Sequence, residues 1–378
     1  MPRVLISINA AWNVANFRAG LVKALVEDGF EVVAAVPDDG ALERVRALGA
    51  RVIVLPMTSA SASVFKDLVL FWRYLRLLRR ERPAVYLGWT IKPNTYGSLA
   101  ARLAGAARIN NISGLGTAFI GAGWLRRVAQ LLYRVGLSRS ATVFFQNADD
   151  RDLFLRKGLV RGDQAELLPG SGIDPARFDP ANWPGPPGDG AFRFLLIARL
   201  IGDKGVREYV AAARSIRTSH PQARFQLLGF LDVDNRTAVS RAELDGWIAE
   251  GLIEYLGETE DVRPFIAAAD CVVLPSYREG LSRVLLEAAA MQLPAIATDV
   301  PGCRDVVVEG QTGLLCRPRD AQDLARRMAE MIAFEPAVRE RMGVAARSHV
   351  CRNFSEATVI AAYRAALARS LPKTPDRR

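Results

Sequence analysis

Residues 192–205 read Phe192-Arg193-Phe194-Leu195-Leu196-Ile197-Ala198-Arg199-Leu200-Ile201-Gly202-Asp203-Lys204-Gly205. A short apolar run that ends in a polar, glycine-containing turn is the pattern of a strand buried on both faces. Further strand-like runs follow at Arg224–Leu228, Leu252–Tyr255, Cys271–Leu274 and Ala295–Ala297, with helical stretches between them. Toward the N-terminus the same alternation runs through Val4–Ile8, Glu31–Val36, Arg51–Leu55, Ala84–Leu87, Arg108–Ile112, Thr142–Phe145 and Glu166–Leu168. Helices are expected at Asn16–Asp28, Val64–Arg82, Asn94–Ala104 and Leu125–Ser138. Strand–helix–strand repetition implies parallel sheets covered on both faces.

The alternation breaks at residues 180–190, PANWPGPPGDG, whose four prolines can continue neither helix nor strand. The expected fold is therefore α/β, with two Rossmann-like domains facing each other across a cleft. The expected boundaries are 1–170 for the first domain, 171–191 for a linker and 192–352 for the second. A final helical segment, 353–378, is expected to pack back on the first domain. In such sheets ligands bind beyond the carboxyl ends of the strands, so the strand ends are where chemistry is sought.

Two stretches carry that chemistry. In Arg199–Gly205, Arg199 and Lys204 can converge on one diphosphate, the first as a fork and the second as a point charge. In Ser276-Tyr277-Arg278-Glu279-Gly280-Leu281-Ser282-Arg283-Val284-Leu285-Leu286-Glu287, a strand ends at Pro275 and Gly280 is expected to open a helix. A helix start offers free N–H groups and a positive dipole end to a phosphate. Glu279 and Glu287 can accept hydrogen bonds from sugar hydroxyls. Taken singly, each stretch also reads as an exposed turn or a capped helix with a surface carboxylate.

Together the two stretches resemble the family 4 glycosyltransferases, with Arg199, Lys204, Glu279, Gly280, Leu281 and Glu287 at the positions of the family's motifs. Ser171-Gly172-Ile173-Asp174, with Arg177-Phe178, resembles the family's hinge segment, Ser171 standing for its Asn. Pro301-Gly302 before Asp305, then Gly310 and Thr312-Gly313-Leu314-Leu315, resemble its later loop pattern. The resemblance implies the two-domain fold called GT-B and a retaining, metal-independent transfer from a nucleotide sugar, with no cofactor. It implies that Arg199 and Lys204 hold the diphosphate, Glu287 the ribose, and Glu279 the donor sugar, with Gly280, Leu281 and Ser282 beside them. Glu279, Arg199 and Lys204 would then be the catalytic set. The base would lie near Tyr255–Glu260. The absence of a nucleophile–base pair suits a front-face departure in which the leaving diphosphate takes the acceptor's proton.

One departure is the lack of any His before His220, where many relatives place one close to the reacting sugar. The comparable stretch is Gly88-Trp89-Thr90-Ile91-Lys92-Pro93-Asn94. There Lys92 either reaches an anionic substrate group or faces solvent. In the family the loop after the first strand faces the acceptor, which makes Asn13, Asn16 and Arg18 candidates, although Asn16 could equally cap a helix. Ser113–Thr117 lies in a similar place. Asp232-Val233-Asp234 invites a metal reading, but a helix-capping loop is the expectation, and no metal is expected. The four cysteines, Cys271, Cys303, Cys316 and Cys351, lack zinc spacing.

Helix Val64–Arg82 carries Phe65, Leu68, Phe71, Trp72, Leu75 and Leu78 with Arg73, Arg76, Arg79, Arg80 and Arg82, and Phe119–Leu137 repeats the theme. A basic amphipathic helix can lie on an anionic membrane or can bury its apolar face as core. With a net charge of +10 and no nucleic-acid-binding pattern, the expected partners are a nucleotide-sugar donor, a lipid-linked or saccharide acceptor and an anionic membrane surface. No signal peptide or spanning segment is read, so the expected place is cytoplasmic, peripheral on the inner face of the membrane. The subclass expected is N-acetylhexosaminyl transfer from a UDP-sugar in surface-polysaccharide or lipopolysaccharide assembly. The alternatives are a nucleotide-sugar epimerase of the same fold and a non-catalytic sugar- or lipid-binding protein. A dinucleotide oxidoreductase would need glycines after the first strand, and Asn9–Asn16 has none.

Overall fold

The computed structural model describes residues 1–57, 64–114, 124–231 and 235–371. The chain forms two units, Met1–Ser171 with Glu356–Arg378, and Gly172–Ser355. The first is built on strands β1 (Arg3–Ser7), β2 (Glu31–Val36), β3 (Arg51–Val54), β4 (Val85–Trp89), β5 (Ala107–Ile112), β6 (Thr142–Phe145) and β7 (Ala165–Leu167). They lie in the order β3-β2-β1-β4-β5-β6-β7, all parallel. The second holds β8 (Phe192–Ile197), β9 (Ala223–Leu228), β10 (Glu254–Tyr255), β11 (Cys271–Leu274), β12 (Ala295–Thr298) and β13 (Gly313–Cys316). Their order is β10-β9-β8-β11-β12-β13, again all parallel.

Alternate residues of each central strand feed opposite layers, which is why these runs are apolar throughout. In β1, Val4 and Ile6 join one core and Leu5 the other. In β8, Phe194 and Leu196 face one layer while Leu195 and Ile197 face the other. Strand order reverses direction at β1/β4 in the first unit and at β8/β11 in the second. Two crevices for ligands follow, one per unit, at these switch points.

The expected linker is largely part of the second unit. The chain leaves the first unit after Ser171, and Ile173 and Phe178 are buried in the second unit's core, with Trp183 packed against it. It returns at Glu356, where helix Glu356–Ser370 gives Val359, Tyr363, Ala366 and Leu367 to the first unit's core. Tyr363 packs on Trp89 and Phe144, with ring centroids 5.7 and 5.0 Å away. Its hydroxyl accepts a hydrogen bond from Asn111 Nδ2 at 3.1 Å.

Three elements differ from the sequence reading. The expected helix Asn16–Asp28 is two helices, Ala11–Phe17 and Ala19–Glu27, broken at Arg18 with φ −132°. The break lets Arg18 turn inward, its guanidinium 5.6 Å from the Trp89 ring centre. The expected helix Asn94–Ala104 starts as a π-turn, Pro93–Gly97, before Ser98–Leu103. Residues Gly313–Cys316, read as loop, form β13. A Cβ on Gly313 would sit 2.1 Å from the Ala295 carbonyl oxygen, so glycine there marks close strand approach and not a turn. No helix among the described residues is long and apolar enough to cross a membrane.

Candidate active site

The loops after β8 and β11 flank the switch point of the second sheet. After β8 the chain passes through a 3₁₀ turn, Gly202–Lys204, and reaches helix Val206–Ile216 through Gly205, whose φ of +71° is left-handed. A Cβ on Gly205 would fall 2.1 Å from the Pro275 carbonyl oxygen. This close approach joins the two loops, and the Tyr277 amide donates to the Asp203 carbonyl at 2.9 Å.

The contact brings Lys204 Nζ to 2.5 Å from Glu279 Oε1, with side chains 21% and 13% exposed. Glu279 is held from its other side by the loop after β12. Its amide donates to the Pro301 carbonyl at 3.3 Å, and the Ser282 amide donates to the Gly302 carbonyl at 3.0 Å. Asp305 accepts the Gly302 amide at 2.8 Å. The Pro-Gly of the sequence pattern is thus a brace under Glu279 and Gly280.

The helix that follows begins later than expected. It spans Arg283–Ala290, Ser282 is its N-cap, and the Ser282 hydroxyl accepts the Leu285 amide at 3.3 Å. Gly280 and Leu281 belong to the approach, and Ser282 contributes a cap. Glu287 is not a surface charge: it is 7% exposed, and Arg283 Nε donates to its carboxylate at 2.8 Å. Burial pushes the Glu287 carboxyl above its ordinary range, against the pull of Arg283 and Arg177. Arg199 is exposed in the loop after β8, without an ion-pair partner among the described residues.

The loops place the Lys204 ammonium against Glu279, four residues ahead of the helix that carries Glu287, with Arg199 on the loop after β8. An ammonium beside a helix N-terminus can take up a diphosphate, and neighbouring carboxylates can accept hydrogen bonds from hydroxyls. The Tyr255–Glu260 turn starts beside these loops, where the Tyr255 hydroxyl donates to the Gly229 carbonyl at 2.9 Å and the Gly229 amide to the Gly257 carbonyl at 2.8 Å. Sequence reasoning missed the neighbouring trio in which Tyr277 donates to Glu208 at 2.6 Å and Arg319 stacks 4.4 Å from the Tyr277 ring centre. No spacing rule links these residues.

In the first unit, the candidates follow β1 and β4 at the switch point: Asn13 and Asn16 on helix Ala11–Phe17, Arg18 at the break after it, and Lys92 capping the π-turn Pro93–Gly97. Asn16 is not an N-cap, since it stands in the last turn of helix Ala11–Phe17. Its amide donates to the Trp12 carbonyl at 2.9 Å and accepts from Arg44 at 2.8 Å. Arg18 is buried on Trp89 and donates to the Phe17 carbonyl at 2.9 Å. Lys92 does not simply face solvent; its Nζ lies 2.9 Å from Asp67, both largely buried. Asn13 Oδ1 and Thr90 Oγ1 are buried without a hydrogen-bond partner among the described residues, and Thr90 has φ +61°. A strained residue with an unsatisfied hydroxyl at a switch point is a functional signal that the sequence does not show.

Ser113 donates to Asn111 at 3.1 Å, while residues 115–117 of the Ser113–Thr117 loop, and Asp232-Val233-Asp234, lie outside the described residues. Cys271, Cys303 and Cys316 are buried, Cys351 is half-buried, and all four are unbridged.

Residues 14–170 match the family model described as "Glycosyl transferase 4-like domain" and residues 191–333 the one described as "Glycosyl transferases group 1". The chain belongs to the family 4 glycosyltransferases of the GT-B fold. It is 28% identical over 341 residues to N,N'-diacetylbacillosaminyl-diphospho-undecaprenol alpha-1,3-N-acetylgalactosaminyltransferase of Campylobacter jejuni, covering 86% of this chain and 88% of the relative. It is 22% identical over 311 residues to the capsular polysaccharide biosynthesis glycosyltransferase CapM of Staphylococcus aureus, covering 80% of each. Among solved structures, HepE of Anabaena in complex with UDP-glucose superposes with a TM-score of 0.79 at 18% identity, over 97% of this chain and 100% of that one.

Proposed function

We propose that the protein is a retaining glycosyltransferase that moves an N-acetylhexosamine from a UDP-sugar to a lipid-linked saccharide during surface-polysaccharide or lipopolysaccharide assembly. The observation that carries this reading is the Lys204–Glu279 pair beside the start of helix Arg283–Ala290. In this reading Arg199, Lys204 and the helix N-terminus take up charge as the bond between the anomeric carbon and the diphosphate oxygen breaks. The acceptor oxygen bonds to the same face of that carbon, and its proton passes to the leaving phosphate oxygen. Glu279 orients the donor sugar and Glu287 the ribose, so catalysis is positioning and charge stabilisation, without cofactor or metal. The lipid-linked acceptor is supported by the diphospho-undecaprenol substrate in the name of the Campylobacter relative.

Work at the inner face of the membrane is supported by the distribution of charge. Residues 64–148 hold 13 Lys and Arg against Asp67 and Glu81 alone, more than the whole chain's net +10. In this stretch helices Val64–Glu81, Ser98–Leu103 and Trp124–Leu137 pack side by side. Their outer sides leave Phe65, Leu68, Trp72, Val128 and Leu131 exposed, Phe65 at 75%. Leu75 and Leu78, on the other side of the first helix, are core. Apolar residues amid arginines suit the headgroup region of an anionic bilayer.

The test is transfer from a panel of UDP- and GDP-sugars to lipid-linked saccharides, with the product's anomeric configuration read by NMR. Retention with a UDP-N-acetylhexosamine is expected. Inversion, or a donor other than a UDP-sugar, would overturn the corresponding part.

A further inference from the structure

Strand β3 is an edge strand whose Val54 is 46% exposed. Between it and helix Val64–Glu81 runs a groove. A cavity of about 490 Å³ opens at the carboxyl edge of the sheet, beside Asp38 and Lys92, and reaches Val54, Val69 and Arg73. A second, of about 620 Å³, shares Val54, Val69 and Arg73 and continues to Trp72, Arg76 and Arg80. The two join into one slot along the helix, each within the size range of ligand pockets, about 300–1,000 Å³. Its walls are apolar, and its rim carries Lys66, Arg73, Arg76, Arg80 and Lys92 against Asp38; even with Lys92 paired to Asp67 and Arg80 to Glu81, Lys66, Arg73 and Arg76 leave the rim cationic. An apolar slot with a cationic rim complements a molecule with a hydrocarbon chain and a compact multiple negative charge. A sugar or a neutral lipid would leave that rim unmatched.

We propose that this groove seats the isoprenoid diphosphate end of the acceptor, an inference that rests on the lipid-linked acceptor argued above. The saccharide lies at the carboxyl edge of the sheet, where the β1/β4 switch point stands. The diphosphate follows against Lys66 and Arg73, and the chain runs along Val54, Val69 and Trp72. Phe65 lines the first cavity and Trp72 the second, so a lipid in the groove runs beside the face argued to meet the bilayer.

The test is binding of radiolabelled geranylgeranyl diphosphate to the full chain without bilayers, beside inorganic diphosphate and geranylgeraniol. Geranylgeranyl diphosphate should bind at least about tenfold tighter than either. Val54→Glu, at an exposed position, sets a carboxylate in the slot. It should weaken that binding about tenfold or more, with UDP binding and Tm unchanged. Equal binding of the three probes, or an unaffected Val54→Glu variant, overturns the proposal. So does a change in oligomeric state in Val54→Glu, which would make a second copy of the chain the occupant. Failure of the functional reading looks different: the wild type then binds geranylgeranyl diphosphate in the Val54-dependent way and yet transfers no sugar to any lipid-linked saccharide.

Discussion

Lys204 and Glu279 are 75 residues apart in sequence and 2.5 Å apart in space, one on each loop at the switch point of the second sheet. Each is the other's counter-ion, so each fixes the other's position at the switch point. Neither loop alone defines the site; the close approach of Gly205 to Pro275 does.

Replacing either member should therefore remove activity and leave the fold. Lys204→Ala and Glu279→Ala are each expected to lower kcat/KM about 100-fold or more, with Tm nearly unchanged because neither side chain is core. The double variant should lose less than the two single losses combined, since they share one interaction. Wild-type turnover in either single variant would strip that residue of its role.

Glu287 offers a pH test. Burial raises its carboxyl above the ordinary 4.5, so the folded chain binds the proton more tightly than the unfolded chain. Its contribution to stability is present at low pH and is lost as pH rises through the raised value. As pH rises from 4.5 upward, the wild type should lose stability relative to Glu287→Gln. Thermal melts of both proteins across that range decide it, and parallel curves would exclude burial as the cause.

Gly302 supports Glu279 from below. Its φ is +80°, and a Cβ there would lie 2.7 Å from the Glu279 and Gly280 carbonyl oxygens. Gly302→Ala should displace the loop and reduce turnover about 100-fold, with a drop in Tm. An active, equally stable variant would show that the brace is not needed.

Tyr363 tests the return of the chain to the first unit. Tyr363→Phe removes the bond from Asn111 and should cost about 1 kcal/mol, while Tyr363→Ala should cost about 3–5 kcal/mol. Denaturant titrations separate the two. Near-equal losses would place the whole effect in the hydroxyl.

Membrane contact should depend on the outer side of helix Val64–Glu81. The wild type is expected to co-sediment with phosphatidylglycerol vesicles and to be released near 1 M salt, where the screening length is about 3 Å. A Phe65→Ser/Trp72→Ser variant should sediment less at low salt. Identical sedimentation of the two proteins would remove this face from the argument.

Most of the sheet strands were legible because a strand buried on both faces must be apolar along its length, as Phe192–Ile197 and Cys271–Leu274 are. The positions of Arg199, Lys204 and Glu279 on loops after strands, and of Glu287 on the helix that follows, were legible for the same reason. Their partners were not. The charge of Arg177, from a distant segment, acts on the buried Glu287, and Lys92 pairs with an Asp67 that lies on a different element. The break at Arg18 follows from Trp89, on a strand far along the chain. Gly313 reads as a turn in isolation because the oxygen that excludes its side chain belongs to Ala295. Such facts live in contacts between distant segments and leave no local pattern.

Helix Glu356–Ser370 belongs to the first unit, although residues 172–355 intervene. On the ribosome, the N-terminal sheet therefore emerges long before the helix that carries Val359, Tyr363 and Leu367 into its core. The second unit is continuous and needs nothing outside its own span for its sheet, so it is free to fold while its predecessor waits with an open apolar face. The half made first is the half finished later, and a nascent chain halted before residue 356 would present that uncovered surface to chaperones or to aggregation.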